Sequence, residues 1–293
     1  MTQMPDDDSL AAQNTLARRI AALLEPLGGR TAIAARRVPP LVRSPHAEAA
    51  SEHPESTSPA GAPSLDIRIR ADIELPAASL AKLPIAVELF RRTDLGLLNL
   101  AERFDTSGEP SAGGDGVLDH LDPSVRLTLN DLCFLMLALS DNTAANFLMG
   151  LVGIGEVNHT LDQLKLGHTR LARRFMDFEA RAAYRDNVTS AADMVTLLAL
   201  LRGGALPGAA RLREMLSAQQ RADDLMAWLP ATAQVAHKTG SLDDAFHDAG
   251  LLTGPGGTCV FCVMTADQAD VAAAHIAVGR ILRALWDDWC AGV

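Results

Sequence analysis

Strand-like and helix-like patterns in this chain are segregated, and that segregation limits the folds open to it. Thr31 to Val38 (T-A-I-A-A-R-R-V) reads as a strand, and Leu65 to Arg70 (L-D-I-R-I-R) alternates strictly, as a half-buried strand does. From Ala77 to Gly203 the pattern is mainly helical, broken by turns such as S-A-G-G-D-G. Val235 to Leu242 returns to strand character. Ala249–Leu252 and Thr258–Met264 then flank G-P-G-G, a hairpin signal. Helical stripes bracket the whole: Leu16, Ile20, Leu23, Leu24 and Leu27 near the start, and Ile281, Leu282, Leu285 and Trp289 near the end.

The economical arrangement is an α/β protein of the α+β type. An antiparallel sheet flanked by helices is built from both chain ends, with an all-helical lobe inserted between them. The expected units are an α/β lobe from 14–76 and 204–293 and a helical lobe from 77–203, working as one. Residues 1–13 are expected to be disordered. Residues 39–64, rich in Pro, Ser, Ala, Glu and His without periodicity, are expected to be a flexible insertion in a hairpin.

Hydrophobic residues make up 48% of the chain and charged residues 21%, an ordinary globular composition. A net charge of −10 argues against non-specific binding to nucleic acid or anionic lipid. The start, M-T-Q-M-P-D-D-D-S-L, carries neither a basic n-region nor an apolar h-region, and no long apolar run follows; the expectation is a cytoplasmic protein without a membrane span. Cys259 and Cys262 lie three apart on a strand and would point to opposite faces, which suits neither a chelate nor a redox pair. They and Cys133 and Cys290 read as reduced core thiols. The eight histidines show no metal-binding spacing, and no Gly-rich phosphate loop is present, so neither metal nor cofactor is expected.

Three short motifs carry chemistry. Ser79-Leu80-Ala81-Lys82 opens an apolar helix, and residues three apart share a helix face. A serine becomes a nucleophile when a neighbouring base takes its proton, and a lysine can serve. Ser140-Asp141-Asn142 interrupts L-C-F-L-M-L-A-L and N-F-L-M, a polar tip between two buried-looking helices. Lys238-Thr239-Gly240, followed by Ser241, lies on a strand, where Gly240 lets a ligand approach the backbone. Alone, each motif is also what a helix cap, a turn or an ordinary strand would look like.

Together, in this order and on these elements, they resemble the penicillin-recognising serine enzymes, most closely class A β-lactamases and their serine-hydrolase relatives. L-C-F-L-M-L-A-L-S-D-N-T-A-A-N-F-L-M is similar to that family's helix, loop and helix, while T-R-L at Thr169–Leu171 and T-S-A-A-D-M at Thr189–Met194 resemble the flanks of its active-site loop. The resemblance implies a β-lactamase/transpeptidase-like fold and an acyl-enzyme on Ser79, with Lys82, Ser140 and Lys238 as the other catalytic groups. It implies that Asn142 binds the substrate's acylamide and that Lys238 and Thr239 hold its carboxylate. Backbone N–H groups of Ser79 and Ser241 would form the oxyanion hole, and Asp141 would turn inward onto backbone groups. The expected partner is a small β-lactam or related acyl compound, on a monomeric protein.

Two departures stand out. No E-x-x-L-N occurs in the active-site loop, where the family carries the glutamate that activates the deacylating water; Asp177 and Glu179 are the nearest carboxylates, either replacement bases or surface charges. After the K-T-G strand the sequence reads D-D-A-F-H-D-A-G, so His247 stands as the nearest cation for a substrate carboxylate, or as a histidine bonded to backbone or Asp248. Slow or narrow β-lactam turnover is expected. A D-alanyl peptidase, amidase or esterase on the same site, and a non-hydrolytic β-lactam sensor, are the alternatives.

Overall fold

The computed structural model describes residues 7–38, 66–220 and 223–292. Five strands form one antiparallel sheet. In spatial order they are Asp66–Ile69, Arg30–Val38, Gly257–Ala266, Ala245–Gly254 and Gln234–Leu242. The two N-terminal strands pair as a hairpin, Ile33 opposite Ile69. Arg30–Val38 then pairs with Gly257–Ala266, joining the chain ends as expected. The insertion expected at 39–64 lies outside the described residues.

The first helix runs Asp7–Leu24, so 7–13 are helical where a disordered tail is expected over 1–13; residues 1–6 lie outside the described residues.

Both faces of the sheet are buried. Ile33, Ala35, Phe261 and Val263 face the two terminal helices, Asp7–Leu24 and Val271–Leu285, through Leu16, Ile20, Ile281 and Leu282. Ala32, Ala34, Val260 and Met264 face the inserted helices. That is why Gly257–Ala266 reads as a continuous apolar run rather than an alternating one. Cys259 belongs to the first face and Cys262 to the second, so the C-x-x-C pair is split by the pleat. All four thiols are free and buried. Burial pushes Cys133 up to about 12 and Cys290 up to about 11, and raises Cys259 and Cys262 well above the ordinary range. Among the described residues no helix is long and apolar enough to cross a membrane.

Candidate active site

The first motif is built on a tight turn. Ala78–Ala81 is a 3-10 helix that passes into the helix Lys82–Asp94. Side chains three apart eclipse in that geometry, which stacks Lys82 on Ser79. Lys82 Nζ donates to Ser79 Oγ at 3.0 Å, to Ser140 Oγ at 3.1 Å, to Ser140 O at 2.5 Å and to Asn142 Oδ1 at 2.7 Å. Ser140 Oγ lies 2.9 Å from Ser79 Oγ. Lys82 and Lys238 are fully buried and Ser140 nearly so. Serine, lysine and serine thus form a closed proton-sharing triangle.

Ser140 reaches this position because the chain reverses there. The helix Leu129–Ala138, held at its start by a Thr128–Asp131 capping box, ends just before it. Ser140 adopts φ of 58°, a left-handed conformation costly for a residue with a Cβ. Asp141 then caps the next helix, Asn142–Val152, through Ala144 N, and its second oxygen accepts from Val117 N and Leu118 N at 2.7 and 2.8 Å. Asp141 therefore turns inward, as expected. Asn142 is tied to the lysine as well as facing the cleft. It accepts from Lys82 and donates to Gly113 O at 3.0 Å, while still lining the cleft.

Gly240 passes the serine turn closely. A methyl there would meet Ala78 Cβ at 3.2 Å and Ser79 N at 3.3 Å, so any side chain would crowd the nucleophile's own N–H. Lys238 Nζ donates to Thr239 O at 2.9 Å. Gln219 Nε2 donates to Thr239 Oγ1 at 3.4 Å. Ser241 lines the cleft beside Ser79.

His247 is not a carboxylate ligand, which corrects the expectation. It is fully buried opposite Gly240, with Nε2 2.8 Å from Pro76 O and Nδ1 accepting from Thr265 N at 3.2 Å. Both ring nitrogens are used by backbone groups, and burial lowers its pKa to about 4. The ring is a neutral strut that ties the sheet to the segment preceding Ser79. The imidazole bonded to Asp248 is instead that of His237, at 2.9 Å.

The loop between Thr169 and Ser190 closes the cleft. At its neck the Thr169 and Thr189 hydroxyls meet at 2.8 Å, and Thr169 also donates to Asp193 at 2.8 Å. Three asparagines hold its backbone. Asn158 serves Leu171, and Asn146 serves Phe175. Asn187 accepts from Ala172 N and Arg173 N and donates to Arg173 O. Arg173 donates to Asp186 at 2.7 Å. None of these clamps was expected from the sequence; the spacing of asparagine to its target carries no local pattern.

A cleft of about 320 Å³ lies in front of Ser79. Its loop wall is made by Arg173, Phe175, Met176, Phe178, Arg181 and Asn187, and not by Asp177 or Glu179. Asp177 caps the short helix Phe178–Ala182 by accepting from Ala180 N at 2.9 Å, and Glu179 is exposed to solvent. The replacement bases are therefore withdrawn. The loop residue that faces the lysine is Phe175, whose ring centroid lies 4.7 Å from Lys82 Nζ.

An α/β protein with an antiparallel sheet and a serine, a buried lysine and a second serine in mutual contact has the architecture of the penicillin-recognising serine enzymes. The model of the β-lactamase enzyme family matches residues 61–289, and the chain belongs to that family. A β-lactamase from Sphaerobacter thermophilus is 28% identical and superposes with a TM-score of 0.78, covering 94% of this chain and 97% of that one. The penicillin-binding protein PBP-A shares the fold at 23% identity and a TM-score of 0.76, covering 93% and 95%. Among curated proteins, the β-lactamase regulatory protein BlaB of Streptomyces cacaoi is 26% identical over 256 residues, 71% of this chain and 82% of the relative.

Proposed function

We propose that the protein opens β-lactam amides by forming an ester on Ser79 and releases that ester slowly. The observation that carries this reading is a pairing of opposites. Lys82 stands hydrogen-bonded to both Ser79 and Ser140, and the loop side chain over it is the Phe175 ring. Acylation needs a base for the Ser79 proton, and Lys82 is in place to take it. Ser140, in contact with both, would pass the proton to the departing nitrogen. The N–H groups of Ser79 and Ser241 would receive the developing oxyanion, and Lys238 with Thr239 would hold the substrate's carboxylate.

Deacylation needs a second base aimed at water, and an aromatic ring cannot supply it. Water activation would then fall to the Lys82–Ser140 pair that already served acylation. A persistent ester also fits a receptor of β-lactams. The likeness to a regulatory protein favours that second reading, in which the ester itself is the signal.

The test mixes the protein with a chromogenic cephalosporin and follows absorbance and intact mass together. The expected result is a stoichiometric adduct that persists while absorbance shows a burst and then slow turnover. Ser79→Ala should show neither adduct nor burst. Rapid steady turnover without an adduct would contradict slow release.

A further inference from the structure

We propose that Arg181 anchors an anionic group at the far end of the substrate's acyl side chain, with Met176 and Phe178 packing on the apolar stem that leads to it. This rests on the acyl-enzyme reading and adds a substrate class to it. All three residues line the cleft that Ser79 lines. Met176 and Phe178 are 37% and 53% exposed. Large apolar side chains left open inside a cleft gain by covering an apolar ligand.

Arg181 is one of two arginines that line the cleft, the other being Arg173. The Arg181 guanidinium carries five N–H donors. Among the described residues it has two ion pairs, to Asp186 at 3.3 Å and to Asp244 at 3.7 Å, and no hydrogen bond. Asp186 is already the acceptor of the 2.7 Å bond from Arg173. One carboxylate is thus shared by two arginines, and the Nε and Nη2 ion pairs of Arg181 leave Nη1 and the other Nη2 hydrogen for a ligand. The loop from 169 to 190 carries five arginines against three carboxylates in a chain of net charge −10. Asp115 and Asp243 also line the cleft, so Arg181 and Arg173 are the lining groups that would attract an anion.

The test uses two cephalosporins with one nucleus and acyl chains of equal length, glutaryl and pentanoyl, which differ in a terminal carboxylate. Their binding to the full-length Ser79→Ala variant is measured by calorimetry, where no chemistry intervenes. The glutaryl compound should bind at least tenfold tighter, with the ratio shrinking as salt is raised. Arg181→Gln in the same background should bring the ratio within twofold. Arg181→Lys, which keeps the charge without the fork, should fall between and guards against misfolding of the glutamine variant. If Arg181 were merely structural, the substitution would weaken both compounds alike. An unchanged ratio, a preference for the pentanoyl compound, or no binding of either overturns the proposal. Acylation of the unmutated protein by benzylpenicillin, read by mass, reports the acyl-enzyme reading separately.

Discussion

His247 shows how one buried side chain sets a pH dependence. Its folded-state pKa of about 4 lies below the ordinary 6.5, because burial opposes the charged ring. The unfolded chain therefore binds the proton more readily. Stability from this residue is complete above pH 6.5 and is lost as pH falls toward 4. The full effect is about 3 kcal/mol by linkage. The melting temperature should drop across that window, and His247→Gln should flatten the drop; an equal slope in the variant would remove His247 as its source. Gly240 is constrained at the same scale. Gly240→Ala places a methyl 3.2 Å from Ala78 and 3.3 Å from Ser79 N. It should slow acylation by tenfold or more while thermal stability changes little, as second-order adduct formation would report.

At the scale of elements, the loop from 169 to 190 is held by asparagine side chains, Asn146 and Asn158 from outside it and Asn187 from within it. Asn187 satisfies two N–H groups, that of Arg173 buried and that of Ala172 partly so, and one carbonyl of that loop. Asn187→Ala leaves them unpaired and should cost about 2–4 kcal/mol in denaturant unfolding, with faster hydrogen exchange at Ala172 and Arg173. Unchanged exchange there would show that water replaces the clamp. The same loop marks what could be read in advance. The edge strand Asp66–Ile69 was legible from its period-two alternation, because there Ile67 is buried and Arg68 is exposed. The long buried strands run further than expected, Ala245–Gly254 instead of Ala249–Leu252, because a strand buried on both sides loses that period. Ser79, Lys82, Ser140 and Lys238 were legible because each sits inside a short motif on a definite element. Phe175 was not. A search for a base looks for carboxylates, and an apolar residue facing a lysine leaves no trace in local pattern.

For the molecule as a whole, the sheet cannot be completed until both ends of the chain meet. Ile20, fully buried against the C-terminal helix side of the sheet, belongs to that late contact. Ile20→Ala should cost about 2–5 kcal/mol by large-to-small truncation, measured by equilibrium unfolding, without altering the rate at which folded protein forms its ester. A change in that rate would mean that the two faces of the sheet are coupled. The central claim concerns the cleft in front of Ser79: nucleophile and lysine are assembled, and the loop side chain over the lysine is the Phe175 ring. The most direct measurement is the lifetime of the Ser79 ester after a benzylpenicillin pulse, by intact mass, in the natural protein and in Phe175→Glu. A long-lived ester that the glutamate shortens by tenfold or more is the predicted result. A natural ester that decays within seconds, or one whose lifetime the substitution leaves unchanged, would contradict the account.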